Sequence, residues 1–94
     1  MAATFEWDPA KAARNYATHG VTFDEASTVF GDPLGRIVDD PRHSRGETRF
    51  VIIGLSRKLR VLAVMFTERR EHIRLISARV VTRAERRNYE ESAR

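Results

Sequence analysis

Ninety-four residues, 41% hydrophobic and 32% charged with a net charge of +4, allow one small domain with an adequate core. No stretch approaches the roughly 20 apolar residues of a membrane span, and Met1–Glu6 has neither a basic start nor an apolar signal segment. Cysteine is absent, which excludes disulfides and thiolate chemistry and fits a reducing, cytoplasmic setting.

In chain order, Phe5-Glu6-Trp7 predicts a short edge strand. Asp8-Pro9 starts a helix, with Asp8 as N-cap and Pro9 at the first helical position, where its missing N–H costs nothing. The helix runs to about Thr18, with Ala13, Tyr16 and Ala17 as its apolar stripe, and Gly20 closes it in the left-handed conformation. Thr22 and Glu25 have capping-box spacing and open a second helix, whose inward face is Phe23, Ala26, Val29 and Phe30. Gly31-Asp32-Pro33 ends it.

Strands follow. Arg36–Asp39 is a short one, and Arg42–Glu47 reads as a polar loop. Arg49–Leu55 and Arg60–Phe66 are nearly unbroken apolar runs joined by a turn at Ser56–Leu59, as expected of strands covered on both faces. His72–Val80 is the last strand. Thr82 and Glu85 repeat the capping-box spacing and open a closing helix to about Ser92. The expected fold is α+β: two N-terminal helices, a four-stranded, mainly antiparallel sheet and a C-terminal helix.

Charge is unevenly spread along this frame. Residues 1–41 hold three basic and seven acidic side chains, a net −4; residues 42–94 hold fourteen and six, a net +8. Thirteen of those fourteen bases are arginine, whose planar fork of donors suits phosphate or carboxylate. A GC-rich genome also favours arginine, so composition alone decides nothing.

No nucleotide-binding glycine loop or Gly-x-Ser-x-Gly elbow is present, and His19, His43 and His72 lack metal-ligand spacing. The acidic residues fall at helix starts and turns, where capping and solvation account for them, so no metal or other cofactor is expected. What remains is an arginine set: Arg49, Arg60, Arg74, Arg79, Arg83, Arg86 and Arg87. A cationic sheet suits metal-free RNA cleavage, in which alignment, charge stabilisation and proton transfer do the chemistry. On a regular strand, however, Arg74 and Arg79 point to opposite faces, and only a bulge between them would bring both to one site.

The motifs Phe5-Glu6-Trp7-Asp8-Pro9-Ala10-Lys11, Asn15, His19-Gly20-Val21-Thr22-Phe23-Asp24-Glu25-Ala26, Val29-Phe30-Gly31-Asp32-Pro33 and Asp40-Pro41-Arg42-His43-Ser44 occur in this order. They continue with Glu47-Thr48-Arg49-Phe50, Ile53-Gly54-Leu55-Ser56, Val61-Leu62-Ala63-Val64, Arg74-Leu75-Ile76-Ser77-Ala78-Arg79, Glu85-Arg86 and Tyr89-Glu90. Over nearly the whole chain this resembles the BrnT family of toxins. The resemblance implies a RelE-like ribonuclease of a type II toxin–antitoxin system that inhibits translation by cutting RNA. It also implies a BrnA-like antitoxin that carries a DNA-binding segment, and a toxin–antitoxin heterotetramer; DNA would be met only through the antitoxin.

Residues carried over by motif are Trp7, Lys11, His19, Arg49, Arg74, Ser77, Arg79, Glu85 and Tyr89: Arg79 and Arg74 hold phosphate with Arg49 assisting, Lys11 or His19 supports proton transfer, and His43 is an alternative. Trp7, Arg42, His43 and Arg83 are the RNA-contacting candidates. Structural roles compete at several of these: Trp7 as core, His19 as a helix-end residue complementing the dipole, Glu85 as a cap and Tyr89 as packing on the sheet. A non-catalytic basic module that holds RNA or an acidic partner is the alternative function. A DNA-binding repressor is weaker, because no helix pair offers a recognition face.

Overall fold

The computed structural model describes residues 4–39 and 46–92. Arg42 and His43, and most of the predicted Arg42–Glu47 loop, lie outside the described residues. The elements are β1 (Thr4–Glu6), α1 (Pro9–His19), α2 (Phe23–Thr28), a single 3-10 turn at Val29–Gly31, β2 (Arg36–Asp39), β3 (Arg49–Leu55), β4 (Val61–Arg69), β5 (His72–Val80) and α3 (Arg83–Ser92).

The helix boundaries follow from their caps. The Asp8 carboxylate accepts the Ala10 N–H at 2.9 Å, and Gly20 ends α1 at φ 68°. The Thr22 hydroxyl accepts the Glu25 N–H at 3.1 Å. Before α3 the box is complete: the Glu85 N–H donates to the Thr82 hydroxyl at 3.2 Å, and the Glu85 carboxylate accepts the Thr82 N–H at 2.8 Å.

The sheet has five strands in the order β1-β5-β4-β3-β2. This corrects the four-stranded expectation. β2 to β5 form the antiparallel meander, but β1 joins the outer edge of β5 in parallel, with Thr4, Phe5 and Glu6 opposite His72, Ile73 and Arg74. A strand three residues long carries no local sign of which edge it will extend, so its partner was not readable from the sequence.

The main core lies on one face of the sheet, where Val21, Phe23, Ala26 and Val29 pack on Ile52, Leu62, Val64, Phe66, Leu75 and Ala78. Phe5, Phe30 and Phe66 add edge-to-face contacts at 5.1 and 4.9 Å, and Phe50 stacks on Phe66 at 5.4 Å. On the opposite face, α3 covers the β2–β3 end, where Arg36, Val38, Ile53, Glu85, Asn88 and Tyr89 line one apolar cleft. β4 is therefore covered on both sides, and Val61 to Val64 are all buried, as their unbroken apolar run predicts.

α1 is seated differently from its expected stripe. Tyr16 is 58% exposed, and Ala13 and Ala17 are exposed too, whereas Asn15 is only 6% exposed. The Asn15 amide donates to the carbonyls of Val21 and Ala78, both at 2.9 Å, and accepts the Ala78 N–H at 3.0 Å. It thus occupies both backbone groups of Ala78, as a neighbouring strand would, just past the point where β1 ends. The helix is held at the sheet edge by this amide together with Ala12, which packs against the core.

Candidate functional site

β5 is irregular in the way a shared arginine surface requires. Opposite β4, Met65 pairs with Ser77 and Phe66 with Leu75, so Ile76 is an extra residue, a β-bulge. The extra residue resets the alternation. Leu75 and Ala78 both face the core, and Arg74, Ser77 and Arg79 fall opposite Thr67, Met65 and Ala63 on the other face. The opposite-face expectation for Arg74 and Arg79 holds only for a regular strand. Here they share one side.

Register brings a third arginine to that surface. Arg49 on β3 stands opposite Thr67, and Thr67 opposite Arg74, so Arg49, Thr67, Arg74 and Glu6 form one row across four strands. With strands about 4.8 Å apart, the Arg49 and Arg74 backbones are about 10 Å apart.

The two β5 arginines have acidic neighbours. Arg74 lies 3.6 Å from the Glu6 carboxylate. Arg79 makes a two-pronged contact with Glu85, at 2.8 and 3.0 Å, with side-chain exposures of 37% and 28%. The hydrogen bond from Arg79 holds the Glu85 carboxyl down at about 2, against the opposing effect of burial, and the same contact raises Arg79 further above its ordinary value. One carboxylate therefore caps α3 and orients the guanidinium.

Lys11 and His19 are on α1, away from this face but beside the bulge. Lys11, Arg14, Asn15, Thr18, His19 and Ile76 line a groove of about 350 Å³ between α1 and β5. Trp7 packs edge-on against Phe23 at 5.8 Å on the rim of the core, apart from the arginine face. Arg83 is exposed at the start of α3. Among the described residues, no group of three or more His, Asp or Glu could hold a metal ion.

Arg60, of the arginine set, and Tyr89 prove structural. Arg60 is clamped by Glu25, whose second oxygen also accepts from Arg60 Nε at 2.9 Å and from the Ser56 hydroxyl at 2.7 Å. Hydrogen bonding to Arg60 lowers the Glu25 pKa despite burial. Tyr89 is buried, and its hydroxyl donates to Asp32 at 2.5 Å; burial and this bond push the phenol up to about 12. Burial acts to raise Asp32, but hydrogen bonds from Tyr89, Leu55 and Leu34 outweigh it and lower its pKa. Sequence reasoning missed Asn15, Arg14 and Thr18. Asn15 had a signal in its place among the family motifs; the other two had none.

Residues 7–85 match the family described as "Ribonuclease toxin, BrnT, of type II toxin-antitoxin system". The chain belongs to the BrnT family. A crystal structure of the ribonuclease toxin BrnT from Brucella abortus is similar, at 21% identity and a TM-score of 0.66, covering 87% of this chain and all of that one. At that identity the likeness shows the fold alone: α+β, with three helices and a five-stranded mixed sheet. No curated protein matches the chain. Membership in this family implies an antitoxin partner and an RNA substrate. No helix among the described residues is long and apolar enough to cross a membrane.

Proposed function

We propose that this BrnT protein is a metal-independent endoribonuclease that halts translation and is neutralised by a BrnA-like antitoxin in a heterotetramer. The observation that carries the reading is the Ile76 bulge, which sets Arg74, Ser77 and Arg79 on one face, with Arg74 in a row with Arg49.

In the proposed reaction the ribose 2′-oxygen attacks the adjacent phosphorus and the bond to the 5′-oxygen breaks. The products are a 2′,3′-cyclic phosphate and a 5′-hydroxyl. One proton leaves the 2′-hydroxyl and one reaches the departing 5′-oxygen. Arg79 and Arg74 neutralise the charge gathering on the non-bridging oxygens, with Arg49 assisting. Lys11 and His19, the candidates for moving the protons, lie on the α1 side of β5 and reach the reaction only where the scissile phosphate crosses the strand edge between them and the arginines. Glu85 leaves Arg79 when phosphate arrives, one bidentate acceptor replacing another.

Expression without antitoxin arrests growth on this reading, and Arg79→Ala relieves the arrest. Purified protein that leaves RNA intact in EDTA, with and without ribosomes, would sink the enzyme. A second reading has a specific support: both β5 arginines already hold carboxylates, as they would in a module that binds RNA without cutting it. RNA binding without cleavage, together with full toxicity when Lys11, His19 and His43 are all alanine, would establish that alternative.

A further inference from the structure

We propose that the groove between α1 and β5 is a second RNA contact, a track for the phosphodiester backbone built by Lys11, Arg14, Thr18 and His19 beside Ile76; it rests on RNA being the ligand of this surface. The charge pattern sets this groove apart from the arginine face. There, Arg74 faces Glu6 and Arg79 faces Glu85. Among the described residues, the side chains of Lys11, Arg14 and His19 form no ion pair and no hydrogen bond, and no acidic residue lines the groove.

Lys11 and Arg14 are cations without an internal task. Asn15, next to Arg14, spends its whole amide on Val21 and Ala78 and fixes the helix on β5. Lys11, Arg14 and Thr18 follow one another at three- and four-residue spacing, so they form one stripe along α1. From Lys11 to His19 the helix rises about 12 Å, room for more than one phosphate group. His19 ends α1 at its negative pole, where a bound anion would be unfavourable without the cations beside it.

Ile76 gives the groove its relation to the site. It is the residue that the bulge leaves over, and it lines the α1 groove while its neighbours Arg74, Ser77 and Arg79 occupy the opposite face. A strand of RNA that crosses the β5 edge meets the paired arginines on one side and the unpaired cations on the other. The groove then holds the chain flanking the scissile bond. Single-stranded RNA is the fitting ligand class, because phosphates on a flexible backbone can follow a helix around a sheet edge.

The test uses the intact protein and a 2′-O-methyl RNA oligonucleotide, which binds but cannot be cut, with affinity measured across a salt series. Each cation on a phosphate contributes about 0.7 to the salt slope and roughly fourfold to affinity at about 0.15 M salt. Arg14→Ala is expected to weaken binding by about fourfold and to flatten the slope by about 0.7, and Arg14→Glu to weaken it further. Arg57→Ala makes the same charge change at the exposed turn between β3 and β4, outside the residues that line the groove, and is expected to keep the parent slope. Arg14 is exposed, so unchanged melting of the variants confirms folding.

Parental affinity and slope in both Arg14 variants would overturn the inference. So would unchanged RNA binding with weakened capture of the antitoxin, which would give the groove to the protein partner. The two readings fail separately. A protein that binds the oligonucleotide through Arg14 but never cuts RNA keeps the track and loses the ribonuclease; one that cuts RNA regardless of Arg14 does the reverse.

Discussion

Two Thr-x-x-Glu segments stand at two helix starts, and each glutamate meets an arginine at or near a strand, yet they do different work. Glu25 is 2% exposed in its side chain and gives its carboxylate to Arg60 and Ser56, leaving only the Thr22 hydroxyl to cap α2. Glu85 is partly exposed, completes its own capping box and reaches Arg79 on the arginine face. The first pair ties α2 to the β3–β4 turn through a carboxylate that is itself buried. The second ties α3 to a residue proposed to hold phosphate. Identical local spacing thus yields a buried clamp in one place and a partly exposed ion pair in the other, and what differs is the burial of the carboxylate.

The largest effect should come from breaking the clamp. Glu25→Ala strands Ser56 and part of Arg60 in a buried setting and is expected to cost about 2–4 kcal/mol, read from chemical denaturation. A loss below that of Glu85→Ala would erase the distinction. Removing Glu85 should cost about 1–2 kcal/mol, because its ion pair is partly solvated and the remainder is a cap. Function should move the other way: Glu85→Gln frees the Arg79 guanidinium and is expected to tighten 2′-O-methyl RNA binding, whereas Glu25→Gln is not.

Acid sharpens the same contrast. The folded-state pKa of Glu85, about 2, lies below its ordinary 4.5. Its contribution to stability is therefore complete above about 4.5 and is lost as pH falls from there through 2. Glu85→Gln should flatten the fall of stability across that window without abolishing it, since Glu25 and Asp32 are lowered as well. The smallest effect belongs to the far end of α3. Tyr89→Phe removes one of three donors to Asp32 and should cost about 1 kcal/mol, leaving RNA affinity at the parent value.

Much of the frame is written locally. Asp8-Pro9, Gly20, Thr22 and Thr82–Glu85 carry their capping chemistry within a few residues, and the element order follows from them. The family motifs carried the functional class. The Ile76 bulge, the Arg49–Thr67–Arg74 row and the parallel seat of β1 depend on which residues stand opposite one another across strands, and no local pattern encodes that. The role of Asn15 was missed for a related reason: its partner is the backbone of Ala78, 63 residues away, which no local pattern indicates. Ala13, Tyr16 and Ala17 formed a helical stripe that the edge position of α1 leaves in water.

In the proposed reaction the bulged strand makes Arg79 a phosphate-holding residue in metal-free cleavage. The direct test is to map the ends of RNA after incubation with the purified protein in EDTA, with and without ribosomes, beside Arg79→Ala. Fragments ending in 2′,3′-cyclic phosphate are expected from the parent, with the rate falling by about 10²–10³ in the variant. Intact RNA in every arm, or equal cleavage by Arg79→Ala, would contradict it.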